Sequence, residues 1–161
     1  MELIILDRDG VINQDSDDYI KSADEFIPIP GSLEAISRLN HAGYLVVIAT
    51  NQSGISRGYF SMDTLNQIHD KLKRLLNGLG GRVDGIFFCP HGPDEDIDLE
   101  GVPVVGDSLR DLQAAQQVGA APILVRTGKG ERTLAKGVGL DNVPVFDDLA
   151  SYVDYLLEGQ F

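Results

Sequence analysis

The sequence predicts a three-layer, Rossmann-like α/β fold with helices on both faces of a parallel sheet. Two observations predict it. Short, near-continuous runs of Val, Ile and Leu recur along the 161 residues, the signature of strands buried on both faces. Between them lie stretches with a single apolar stripe at helical spacing. No repeat, low-complexity segment or linker interrupts this alternation, so residues 1–161 read as a single domain.

The elements follow in order. Residues 3–6 form a first strand, and residues 32–42 a helix with Leu33, Ile36 and Leu39 on one face and Gly43 as its stop. Residues 45–49 are a second buried strand. Ser61 caps a longer helix whose stripe is Met62, Leu65, Ile68, Leu72, Leu75 and Leu76 and which ends in the glycines at 78, 80 and 81. Strands follow at 83–88 and 102–105, then a helix over 109–118 and a strand over 122–125. A short strand at 143–146 and an amphipathic helix over 148–157 close the chain.

One joint breaks the pattern. Between residues 88 and 102 runs CPHGPDEDIDLEG, which has no helical face, whereas parallel neighbours are joined by a crossover that usually holds a helix.

Composition narrows the function. Thirteen Lys and Arg against 25 Asp and Glu leave a net charge of −12, which argues against wrapping nucleic acid. No apolar run is long enough to span a bilayer, and the N-terminus enters a strand without a basic leader. Cys89 is the single cysteine, so an intrachain disulfide is ruled out. A cytoplasmic, monomeric protein without nucleic-acid or membrane partners is the expectation.

The chemistry gathers at the strand ends. The first strand runs into Asp7 and Asp9, the second into Thr50, Asn51, Gln52, Ser53 and Gly54, the fourth into Gly106, Asp107 and Ser108, and the fifth into Arg126, Thr127 and Gly128. In an open parallel sheet these ends share one rim, where ligands collect. Three carboxylates at one rim repel each other unless one is protonated or a cation neutralises them, and an oxygen-only ligand set suits Mg²⁺. A phosphate completes such a site, with one carboxylate as nucleophile and a second as general acid and base. Taken singly, each residue has an ordinary role: Asp107 and Ser108 as a helix cap, Asp111 as a first-turn acid, Thr50 as a turn residue. The ordered conjunction of Asp7-x-Asp9-Gly10, Thr50 and Gly106-Asp107 favours chemistry. His41 and His69, on helical stretches away from the rim, read as surface histidines, and Lys129 as a solvated loop lysine.

On these residues the chain resembles the haloacid dehalogenase superfamily of phosphohydrolases. LDRDGVIN is similar to its first motif, Thr50 in ATNQSG to its second, and Asp107 in VVGDSLRD to its fourth. The resemblance implies Asp7 as nucleophile, Asp9 as acid and base, and Mg²⁺ held by Asp7, the Asp9 carbonyl and Asp107. TNQSGISRG and FFCPHGP narrow it to the branch of the heptose bisphosphate and histidinol phosphatases, which lacks a large cap domain. That branch implies a small phosphorylated sugar as substrate, with contacts from Asp15, Tyr19, Asn51, Gln52, Ser53, Arg57 and Ser108; histidinol phosphate is the rival substrate. A receiver-like signalling module is the alternative from another class, though its phosphorylated Asp normally ends a later strand. The branch also carries a zinc site and an Arg-Lys-Pro that supplies a lysine. Here Cys89 and His91 supply two zinc ligands, and neither the Cys-x-Cys nor the Arg-Lys-Pro follows. The missing block falls in the helix-less joint, near 94–98: either the chain as given omits a crossover segment, or the deletion is genuine.

Overall fold

The computed structural model describes residues 2–16, 20–50, 61–88, 99–140 and 142–158. Six strands, β1 (Glu2–Asp7), β2 (Tyr44–Thr50), β3 (Gly85–Phe88), β4 (Pro103–Gly106), β5 (Ala121–Val125) and β6 (Val145–Phe146), form one sheet in the order β3-β2-β1-β4-β5-β6. Every pairing is parallel, and β1 lies in register with β2 from Glu2 opposite Tyr44 to Asp7 opposite Ala49. The order reverses between β1 and β4, the switch point at which doubly wound sheets open a crevice.

Side chains alternate across the sheet. Ile4, Leu6, Val46, Ile48, Val105, Ile123 and Val125 face the larger core, where they meet α1 (Ser32–His41), α2 (Met62–Gly78) and α5 (Leu149–Glu158) through Ile36, Leu39, Ile68, Leu72, Leu76, Tyr152 and Val153. Ile5 faces the opposite side with Leu99, Ala115 and Ala120, and half-buried Leu3, Val47, Ala49 and Val104 extend that smaller core. Ala115 belongs to α3 (Leu109–Gln117). Handedness dictates this division. Right-handed crossovers leading outward from β1 to β2 and β3 place α1 and α2 on one face, and the reversed walk from β4 to β5 places α3 on the other.

Some boundaries differ from those the sequence predicts. A short helix, α4 (Gly130–Lys136), occupies the β5–β6 joint; its sequence GERTLAK shows too short a stripe to announce itself. A 3₁₀ turn at Ala23–Glu25 is tied to α2 by Lys71 Nζ, which donates to the carbonyls of Ala23 (2.8 Å) and Phe26 (2.9 Å). The helix-less joint turns out not to connect neighbours, since β2 and β1 lie between β3 and β4. It has to cross three strand spacings, about 14 Å; the 14 residues between Phe88 and Pro103 reach about 46 Å when extended. Length alone therefore does not demand a helix there. Among the described residues, no helix is long and apolar enough to cross a membrane.

Candidate active site

Asp7 ends β1 at the switch point. Immediately beyond it the chain winds around one carbonyl: the Arg8 oxygen accepts from Ile12 N at 2.8 Å and from Val11 and Asn13 N at 3.3 Å. Gly10, at φ +87°, makes the turn possible, and a Cβ there would collide with the Asp107 carboxylate. The loop after β5 reaches back to the same place. Thr127 Oγ1 donates to the Gly10 carbonyl at 2.6 Å, and Lys129 N donates to Asp107 Oδ2 at 2.9 Å.

Asp107 follows β4, and Ser108 caps α3. Asp111, three residues into the cap, closes a reciprocal box: Ser108 Oγ accepts from Asp111 N, and Asp111 Oδ2 accepts from Ser108 Oγ (3.0 Å), Ser108 N (3.3 Å) and Asp107 N (3.2 Å). This cap brings a third carboxylate to the rim. Asp7, Asp107 and Asp111 each offer an oxygen within 4.8 Å of the others.

The electrostatics follow from this crowding. Burial and the carboxylates of Asp111, Asp107 and Asp9 hold Asp7 well above its ordinary 3.8. Burial, with Asp111 and Asp15 adding to it, pushes Asp107 up to about 7 against the lowering effect of the Lys129 amide. Such an oxygen-only set, crowded without a counter-charge, fits a hard divalent cation.

Asp9 stands beside this trio rather than in it. Its carboxylate is forked by Arg8, with Nε to Oδ1 at 2.8 Å and Nη2 to Oδ2 at 3.1 Å, and Asn13 Nδ2 adds a bond to Oδ1 at 3.0 Å. Each carboxylate oxygen accepts about two hydrogen bonds. Among the described residues Oδ1 is therefore full, while Oδ2 keeps one open acceptor site.

The sequence-predicted residues are distributed as follows. Asp7 and Asp107 come together at the rim, with Asp9 beside them in the fork of Arg8. Asp15 joins them: its Oδ2 lies 3.5 Å from Lys129 Nζ, so Lys129 is a rim residue rather than a purely solvated one. The Ser108 hydroxyl, expected on substrate, is engaged by Asp111 on both sides. Thr50 ends β2; its side chain, and all of Tyr19, Asn51, Gln52, Ser53, Arg57, Cys89 and His91, lie outside the described residues. Two residues were misread in the sequence. Asp111 is both a cap and a member of the carboxylate cluster. His69 is a buried residue, 5% exposed, with Nε2 at 3.0 Å from Arg8 Nη1. Its place on the buried side of α2, one residue after Ile68, was the available signal. For zinc, a closed site takes four ligands, of which the Cys89–His91 pair, outside the described residues, would supply two.

Comparison with known proteins places this geometry in context. Residues 65–152 match the family described as HAD-hydrolase-like, and residues 2–96 match polynucleotide kinase 3 phosphatase. The D-glycero-beta-D-manno-heptose-1,7-bisphosphate 7-phosphatase of Bordetella bronchiseptica is 55% identical, covering 98% of this chain and 99% of its own. The protein of the same name from Pseudomonas putida is 52% identical over 98% and 100%. The crystal structure of the B. bronchiseptica D,D-heptose 1,7-bisphosphate phosphatase, complexed with magnesium and phosphate, superposes with a TM-score of 0.93 at 54% identity, covering 99% of both chains. The Bordetella alignment runs over 177 positions against 161 residues here, so at least 16 positions of that relative face no residue of this chain.

Proposed function

The chain belongs to the haloacid dehalogenase-like hydrolases, and from that premise we propose that it is a Mg²⁺-dependent phosphomonoesterase removing the 7-phosphate of D-glycero-D-manno-heptose 1,7-bisphosphate. The observation that carries the reading is the cluster of Asp7, Asp107 and Asp111 at the switch point, with Asp9 held to one side by Arg8. Asp7, Asp107 and Asp111, with the Asp9 carbonyl, would hold the cation, which supplies charge neutralisation beside the phosphoryl group.

Asp7 then acts as nucleophile. Its carboxylate oxygen bonds to phosphorus as the ester P–O bond breaks, and Asp9 gives the proton on Oδ2 to the departing sugar oxygen. In the second half Asp9 takes a proton from water, the water oxygen bonds to phosphorus, and the Asp7–phosphorus bond breaks to release phosphate. Thr50 and the amides that follow β2 would cradle the phosphoryl oxygens, and Asp15, Tyr19, Asn51, Gln52, Ser53 and Arg57 would contact the sugar and its second phosphate. Zinc enters no step. The net charge of −12 argues against a polynucleotide substrate despite one of the family matches.

We also assign the alignment gap to the joint near 94–98, within a single domain of 161 residues. An intact mass near 17.5 kDa for the purified protein supports a genuine deletion, and a larger one shows an omitted segment. Function is tested by comparing kcat/KM for heptose 1,7-bisphosphate and histidinol phosphate. Preference for histidinol phosphate overturns the substrate, and Asp7→Asn, folded yet as active as the parent, overturns the mechanism.

A further inference from the structure

Arg8 is fully buried between the two aspartates of the first motif. A guanidinium removed from water persists only where its donors are matched. One edge is matched by the fork to Asp9. The opposite edge points Nη1 at His69 Nε2, 3.0 Å away and 61 residues along the chain. Arginine has donors alone, so Nε2 is the acceptor, and the imidazole is neutral with its proton on Nδ1. Burial first, and then the guanidinium, lower its pKa to about 4, which preserves that acceptor at neutral pH.

The consequence is geometric. A fork by itself leaves the guanidinium and carboxylate free to swing together about the arginine stem. A second anchor on the far edge fixes the plane, and α2 supplies it from a position with 5% exposure. With Asn13 holding Oδ1 from another side, the Asp9 carboxylate is fixed and Oδ2 keeps its one open acceptor site. We propose that His69 is a positioning residue for Asp9, acting through Arg8, and that its removal impairs proton transfer to the leaving group while leaving the rest of the site in place. This rests on the reading of Asp9 as general acid.

The test uses the full chain with Mg²⁺ and two phosphate esters. Heptose 1,7-bisphosphate loses a poor alkoxide leaving group that needs a proton; p-nitrophenyl phosphate loses a stable phenolate that does not. Because kcat/KM reports events up to cleavage of the ester bond, it separates the two demands. For His69→Leu, kcat/KM for the heptose falls about tenfold or more through kcat, with KM kept within about twofold, and the aryl ester loses less than about threefold. His69→Gln, whose Oε1 can accept from Nη1, recovers most of the loss. Equal losses on both esters, no loss, or glutamine no better than leucine overturns the proposal. Should His69→Leu fail to fold, His69→Asn, too short to reach Nη1, carries the same comparison. Asp9→Asn is the control. If it shows no selective loss on the alkyl ester, the acid reading fails and the proposal falls with it; if Asp9→Asn is selective and the His69 variants are not, the proposal alone fails.

Discussion

Mg²⁺ binding by this protein should release protons, and its affinity should climb steeply with pH. The ligand oxygens of Asp7, Asp107 and Asp111 lie within 4.8 Å of one another. At an effective dielectric of about 20, two full charges at that separation repel by about 3.5 kcal/mol. Burial adds to this, and together they explain why Asp107 titrates at about 7 rather than 3.8 and why Asp7 lies well above its ordinary value. Below neutrality the cluster thus carries protons that a cation must displace. Each displaced proton makes the affinity rise about tenfold per pH unit, flattening as pH passes the raised pKa. Calorimetric titration at about pH 5.5, 6.5 and 7.5, in two buffers of different ionisation enthalpy, measures both the slope and the protons released. In Asp107→Asn the slope should shrink. Even outer partners of a metal site are worth about 10–100-fold in affinity, so loss of this ligand's charge should weaken binding at least that much. A dissociation constant flat across this range, with heats independent of buffer, would refute the account.

Without metal the same raised pKa makes stability highest below about pH 4 and progressively lower as pH rises through about 7; Asp107→Asn should flatten its part of that decline in thermal melts. His69 has the opposite sign: its lowered pKa gives stability above about pH 6.5 that is lost as pH falls through about 4, so His69→Gln should soften acid unfolding. Gly10→Ala must hold φ +87° and displace the Asp107 carboxylate; a stability loss of about 1–3 kcal/mol by urea denaturation, with weakened Mg²⁺ binding, is expected. Asp111→Ala loses the capping box and should cost about 1 kcal/mol of stability together with metal affinity, both readable in one melt series with and without Mg²⁺.

Much of this was legible in the chain because the strands that position the site are buried on both faces. Residues 3–6, 45–49 and 122–125 have little choice but to be central strands, and their polar followers must then share a rim. β3 was harder: Val83 and Asp84 read as strand, yet the ladder starts at Gly85 and Asp84 instead turns its Oδ2 to the Val46 amide. The apolar stripe of α4 is too short for local pattern to report it. Asp111 was legible as a cap, but a capping role fills the local account and hides a second role that depends on another strand. His69 was misread for a similar reason. Its partner is Arg8, and a contact across 61 residues leaves no periodicity behind. Asp7, Asp9 and Asp107 stand out in the sequence because the signal lies in the order of strand ends rather than in any one neighbour.

The first turn of α3 has an awkward inheritance. Helix ends are ordinarily the first parts of a fold to breathe, and substitutions there are usually absorbed as small adjustments. In this molecule the carboxylate that ties the turn shut also faces Asp7 and Asp107. Each moment of fraying therefore scatters the anionic cluster as well, and sequence change at Ser108 or Asp111 is answerable to folding and to the arrangement of these carboxylates at once.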